Sequence, residues 1–279
     1  MSDSNGRPPN EKLFQRYLTA LGVSVREPGL DGLQELIAAH LTRVPFENVS
    51  KLYYQKHNDL HGLPGLELYL DGIESYNFGG TCYANNYYLN LLLEYVGYDV
   101  KLCGAGMTNP DVHIVNIVTL DGREYLVDVG YAAPFLKPLP RDLDRIHVVA
   151  LGRDRFELKP QDEQHRSRID MYRDNELIHG YTVKPIPRPI QHFEKVIEES
   201  FSESATFMNA LLLVRFDMDQ SVAIHNYNLI ESKGTNYRIL ALESESELAR
   251  AIVDTFAIPR YMVEDVLANM AQLSGNAWT

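Results

Sequence analysis

Cys82 follows Gly79, Gly80 and Thr81 and opens the run "CYANNYYLNLLLEYVG". Glycines carry no Cβ, so the backbone can turn sharply there and let another group come close. If a helix starts at Cys82, the thiol lies at the positive end of the helix dipole, a position that favours a thiolate. N–H groups of the first turn would then face an oxyanion forming on a substrate carbonyl. The competing reading is a small core residue, which is what most free cysteines are. Cys103, beside an apolar residue in a strand-like run, has no activating surroundings and reads as structural.

A nucleophilic cysteine needs a histidine and a group to orient it. "VHIVNIVTLDGREYLVDVGY" is a pair of β-branched runs around Asp121-Gly122, a two-residue hairpin signal. In that hairpin Leu120 faces Arg123, so Val115 faces Asp128 and His113 faces Gly130. His113 and Asp128 then share a sheet face as diagonal neighbours, about 7–8 Å apart in the backbone. One imidazole nitrogen can reach the carboxylate while the other faces the thiol. Asp128 lies in an apolar strand, where an unpaired carboxylate is costly to bury. A structural hydrogen bond to the backbone is the alternative role for it. The remaining histidines lack metal-ligand spacing, and no metal site is expected.

The elements that must position these groups fall into three parts. "NEKLFQRYLTALG" places Leu13, Phe14, Tyr17, Leu18 and Leu21 on one helical face, with Asn10 as cap and Gly22 as stop. "DGLQELIAAHLTRVPF" repeats the pattern through Leu33, Leu36, Ile37 and Leu41 and ends before Pro45. A third helix, an amphipathic run from about 82 to 96, closes at Gly97. Strand-like pieces follow in "HVVALG", "RFELKP" and "IDMYRDNELIHGYTV". Beyond about residue 192, "SVAIHNYNLIESKGTNYRILAL" reads as a strand pair around a Gly-containing turn. "SESELARAIVDTF" is a helix with a capping box of Ser244 and Glu247, and "YMVEDVLANMAQL" is a final helix. The expectation is an α+β protein divided as 1–97 (helices), 98–191 (antiparallel strands) and 192–279 (mixed).

Composition narrows the function. Of 279 residues, 26 are Lys or Arg and 38 are Asp or Glu, a net charge of −12. That balance argues against nucleic-acid binding, which needs a basic face to displace counterions. Two cysteines cannot make a disulfide framework. "MSDSNGRPPN" lacks the basic and apolar regions of a signal peptide, and no apolar run is long enough to span a membrane. A cytoplasmic protein is the expectation; the oligomeric state is not readable.

"RVPFENVS" (43–50), "GGTCYANN" (79–86), "VHIVNIV" (112–118) and "YLVDVGY" (125–131) resemble, in type and order, the signature blocks of arylamine N-acetyltransferases. The specific similarity spans about residues 36–135, with a weaker match from His192 to Phe207. The resemblance implies a helical bundle, an antiparallel β-barrel and an α/β lid, with a papain-like Cys-His-Asp arrangement. It implies Cys82 as nucleophile, His113 as base and Asp128 as orienting carboxylate. Phe46 and Tyr131 match pocket-lining positions, and Phe207 a third wall. The implied reaction is ping-pong and belongs to xenobiotic metabolism. An acetyl group passes from acetyl-CoA, a co-substrate, to the cysteine and then to an arylamine or hydrazine nitrogen, with no tightly bound cofactor. The chain departs from the family pattern where arginine usually precedes the Gly-Gly and glutamate follows the cysteine by two. Those positions hold Phe78 and Ala84. Ala132-Ala133 replaces a Gly-Gly, which implies a harder approach for a CoA pyrophosphate. Other acyl transfer, hydrolysis or amide synthesis on the same residues, or a non-catalytic relative, are the alternative readings.

Overall fold

The computed structural model describes residues 10–270 and Leu273. The N-terminal tail, residues 1–9, and the end of the last expected helix, at Ala271 and Gln272, lie outside the described residues. The two apolar stripes at the start produce α1 (Glu11–Leu21) and α2 (Leu30–Arg43), which bury their predicted faces. Gly22 ends α1 in the left-handed conformation, whereas Asn10 precedes it without a side-chain cap bond. A two-residue strand β1 (Phe46–Glu47) follows, then α3 (Val49–Asn58) and α4 (Leu66–Tyr76). Periodicity did not reveal these two helices. α3 buries only Val49, Ser50 and Tyr54, and α4 contains Gly72, so packing rather than propensity selects them.

α5 (Cys82–Tyr95) begins at Cys82, as expected. Its run is not amphipathic: Asn85, Asn86 and Asn90 are buried along with Leu89, Leu92 and Leu93. Such a helix is central and needs internal partners for its polar groups.

Eight antiparallel strands form one sheet. They are β2 (Asp99–Gly106), β3 (His113–Leu120), β4 (Arg123–Val127), β5 (Leu139–Pro140), β6 (His147–Leu151), β7 (Asp154–Leu158), β8 (Ser167–Arg173) and β9 (Glu176–Pro187). Their order is β5-β4-β3-β2-β9-β8-β7-β6, so the sheet curls as a half-barrel whose end strands do not pair. The β3–β4 register is the predicted one from Leu120–Arg123 to Asn116–Val127, where the ladder stops. Asp121 and Gly122 both have positive φ, as the tight turn requires. Beyond the ladder, Asp128 and Gly130 leave the strand instead of pairing with Val115 and His113.

The last part has short helices α6 (Glu194–Glu199) and α7 (Thr206–Asn209), then β10 (Leu212–Phe216), β11 (Gln220–His225), β12 (Asn228–Lys233) and β13 (Asn236–Ala241). The expected strand pair is therefore three strands, because Asn226-Tyr227 makes a second turn between β11 and β12. β1 pairs with β10 through Phe46–Val214 and Glu47–Leu213, which ties the start of the chain into this second sheet. α8 (Glu245–Phe256) starts at Ser244, whose Oγ accepts from the Glu247 N–H. The Glu247 carboxylate turns back to the N–H of Glu243, one residue earlier than a standard capping box. α9 (Arg260–Leu267) completes the described helices. Among the described residues no helix is long and apolar enough to cross a membrane.

His40, fully buried in α2, bonds Tyr17 through Nδ1 at 3.0 Å, while its Nε2 has no partner among the described residues. Burial pulls its pKa down to about 3. The folded state therefore binds fewer protons than the unfolded chain as pH falls from about 6.5 towards 3, and stability is lost across that window. His40→Gln should flatten the fall of unfolding free energy with pH there by up to about 1.4 kcal/mol per unit. Urea unfolding at stepped pH reads this; identical slopes for both proteins would exclude a neutral buried His40.

Candidate active site

The Gly79-Gly80 turn is held against β1. Glu47 N–H donates to Gly80 O at 3.1 Å, and the Gly79 N–H donates to Glu47 Oε1 at 3.0 Å. A Cβ on Gly79 would fall 1.9 Å from Pro45 O, so this approach requires glycine. Asn85 Nδ2 donates to Gly80 O, and the Tyr69 hydroxyl donates to Asn85 Oδ1, which anchors the turn to the helix that follows it. Thr81 enters α5 in extended conformation, and its side chain makes no cap bond. The first-turn N–H groups are thus left uncapped beside the Cys82 thiol.

His113 starts β3, with Nε2 2.8 Å from Asp128 Oδ2. Its other nitrogen is left for Cys82, which lines a common cavity with it and whose thiol donates to Val112 O, next to His113, at 4.0 Å. Burial works against a charged His113, but the Asp128 charge and hydrogen bond, together with Cys82, outweigh it and raise the pKa to about 10. Asp128 is buried and accepts four bonds. Oδ2 takes His113 and the Tyr181 hydroxyl (2.7 Å), and Oδ1 takes Asn86 Nδ2 (2.8 Å) and the Gly130 N–H (2.9 Å). Burial would raise its pKa, yet His113 and these donors hold it below the ordinary carboxylate value.

Asn86, Tyr181 and Asn116, whose Nδ2 donates to Asn86 O at 2.9 Å, were missed from sequence. Asn86 also donates to Ile114 O and accepts from the Val129 N–H, so one amide locks α5 to both sides of the hairpin. A run of asparagines in the helix that starts at Cys82 was the available signal. Tyr181 had none, because β9 reaches Asp128 only through the sheet order.

Phe46, Tyr131 and Phe207 all line one cavity of about 530 Å³ with Cys82 and His113. Phe46 and Phe207 have ring centroids 5.6 Å apart. Asn48 holds Phe207 there: its Nδ2 donates to Phe207 O and Ala210 O, and its Oδ1 accepts from the Leu212 N–H. The Tyr131 hydroxyl lies 2.6 Å from His179 Nδ1. Burial lowers the His179 pKa to about 4, so this imidazole is neutral at pH 7. Cys103 is fully buried, and burial pushes its thiol up to about 12, which fits a structural role.

The departures at Phe78 and Ala84 are packing features. The Phe78 ring sits between Tyr54 and Tyr76 with centroids at 5.7 and 5.6 Å. Ala84 lies directly over Gly80. Glu47, buried beneath them, is held by the Ser50 hydroxyl (2.5 Å), the Ser50 N–H (2.8 Å) and the Gly79 N–H (3.0 Å) rather than by a cation. Burial raises its pKa. Ala132 takes φ 56°, the left-handed conformation that glycine adopts freely.

A model of the N-acetyltransferase family matches residues 29–261. An arylamine N-acetyltransferase of Mycolicibacterium smegmatis is 24% identical over 259 residues, covering 87% of this chain and 90% of the relative. An N-malonyltransferase of Fusarium pseudograminearum is 30% identical over 184 residues; the match covers 56% of this chain and about half, 52%, of that relative. The Mycobacterium marinum arylamine N-acetyltransferase, solved in complex with CoA, has the same fold, with a TM-score of 0.76 at 22% identity. The match covers 92% of this chain and 99% of that one.

Gly130 allows the segment after β4 to approach α5, since a Cβ there would lie 2.6 Å from Cys82 Cα. Gly130→Ala should lower stability by about 1–3 kcal/mol through overpacking. It should also change Cys82 alkylation by iodoacetamide in the folded protein; unchanged unfolding midpoint and alkylation rate would show that helix and strand are not in register as described.

Proposed function

This chain belongs to the arylamine N-acetyltransferase family, and we propose that it works as an acyltransferase through Cys82, His113 and Asp128. The observation that carries this reading is the buried Cys82–His113–Asp128 chain opening on an aromatic-walled cavity. In the first half-reaction Cys82 Sγ, its proton held on the imidazole, attacks the thioester carbonyl of acetyl-CoA. The uncapped first-turn N–H groups of α5 hold the oxyanion. The bond from carbon to the CoA sulfur breaks, and His113 gives its proton to the departing thiolate.

In the second half-reaction a neutral arylamine or hydrazine nitrogen attacks the Cys82 thioester. His113, now neutral, takes the proton from nitrogen, and the Cys82 sulfur leaves. Asp128 keeps Nε2 of His113 protonated, so the nitrogen facing sulfur is the one that exchanges the proton. Phe46, Tyr131 and Phe207 supply ring surfaces for an aryl acceptor. This reading places the protein in the cytoplasm with acetyl-CoA as co-substrate.

Incubation with acetyl-CoA and no amine should release CoA stoichiometrically and leave acetyl mass on Cys82. Cys82→Ala should form no adduct. Failure of the wild type to acylate Cys82 with acetyl-, propionyl- or malonyl-CoA would overturn the reading. Asp128→Asn should slow acylation on the order of 10²–10⁴-fold by placing the imidazole proton wrongly. A rate near wild type in rapid-quench measurements would make Asp128 purely structural.

A further inference from the structure

Arg168 is the one arginine or lysine among the described residues lining the Cys82 cavity, and no aspartate or glutamate lines it. It stands on β8 opposite Thr182 of β9, with Asp170 beside it on the same sheet face. Its Nε donates to Asp170 Oδ1 at 2.6 Å and its Nη1 to Thr182 Oγ1 at 3.3 Å. These bonds fix the guanidinium plane and leave Nη2 over Gly180, where an added Cβ would meet it at 2.8 Å. Gly180 lines the same cavity.

Asp170 does not cancel this charge. It is buried, with Oδ1 as close to the Gly180 position as Arg168 Nη2 is, and it also pairs with Lys159, so one carboxylate serves two cations. The neighbours on the cavity side are neutral: the Tyr131 hydroxyl bonded to His179, and Ile178. Tyr131 lies between the imidazoles of His113 and His179, with ring centroids 5.6 and 5.3 Å away. The wall therefore runs from the thiol through His113 and Tyr131 to His179, next to Gly180 and Arg168. A guanidinium edge at an aromatic-walled cavity, in a cluster of two cations on one carboxylate, is arranged to bind an incoming carboxylate by charge-assisted hydrogen bonds.

We propose that Arg168 forms a carboxylate subsite, so that this protein prefers a reactant carrying a carboxylate, on either the acyl group or the acceptor amine. The proposal rests on the acyl-transfer reading above and names the substrate class for it. The carboxylate accepts from Nη2 of Arg168, while the reacting carbonyl or nitrogen lies at Cys82.

Two matched pairs separate the sources. With acetyl-CoA as donor, 4-aminobenzoate is compared with its methyl ester as acceptor; with aniline as acceptor, malonyl-CoA is compared with acetyl-CoA as donor. In wild type the acidic member of one pair should show the higher kcat/KM, which identifies the source. Arg168→Gln should lower that member's kcat/KM by at least about tenfold relative to its neutral partner, as loss of a charge-assisted bond predicts. Arg168→Lys, which keeps a cation beside Asp170, should recover part of it. No acidic preference in either pair, or equal losses for acidic and neutral members, overturns the subsite. Calorimetric titration of 4-aminobenzoate and of malonyl-CoA into Cys82→Ala, with and without Arg168→Gln, reads binding where no transfer can occur. Arg168-dependent binding without any acylation of wild-type Cys82 would uphold the subsite and reject the transfer reading. Acylation without Arg168-dependent binding would do the reverse.

Discussion

The site depends on one buried carboxylate. Asp128 lies in an apolar interior where an unpaired charge would cost several kcal/mol, and four donors from four segments meet on it. His113 comes from β3, Asn86 from α5, Tyr181 from β9 and the Gly130 N–H from the segment just after Asp128 itself. Satisfying that carboxylate brings the helix that starts at Cys82, the hairpin and the return strand of the half-barrel to one point. The donors also leave Asp128 little freedom, so the imidazole it orients has one orientation towards sulfur. Structural order and chemical readiness are the same requirement here.

A second set of contacts delivers the cysteine. β1 joins the Gly-Gly turn on one edge and β10 on the other, so the turn before Cys82 and the segment carrying Phe207 share a two-residue strand. Asn48 reinforces that link through three bonds to the 207–212 backbone. Phe78 and Ala84 fit into this arrangement as apolar packing around the turn. The buried acid nearest them, Glu47, is satisfied by a hydroxyl and two backbone N–H groups. The local charge pattern differs from the family's, while the backbone path into α5 is kept by hydrogen bonds that need no cation. Ala132 shows the same behaviour in a different form, holding a left-handed backbone without the glycine usual for it.

Much of this was legible in the chain. The Asp121-Gly122 turn set a two-residue register that holds as far as Asn116–Val127, and extending it brought His113 and Asp128 near each other; they meet at 2.8 Å, but with Asp128 already off the strand. The Gly-Gly before an apolar run marked the helix start at Cys82, because a sharp turn and a helix both leave local signatures. Less local features did not show. α3 and α4 have weak apolar stripes and form because neighbours cover them. The extra turn at Asn226-Tyr227 lacks glycine, so three strands read as two. α5 looked amphipathic because its buried asparagines score as polar, although they face partners inside.

The sequence by itself determined a thiol at a helix start and a hairpin that brings an imidazole and a carboxylate together. These follow from bonds and turns a few residues long, which the order of side chains specifies. Tertiary structure alone decided which residues complete the site. Tyr181 reaches Asp128, and Arg168 faces the cavity, only because β9 pairs with β2 and β8 across the half-barrel, while Asn86 reaches it because α5 packs on β3. The β2–β9 pairing joins residues as distant in sequence as Ala105 and Val183, and no local preference of the chain encodes it.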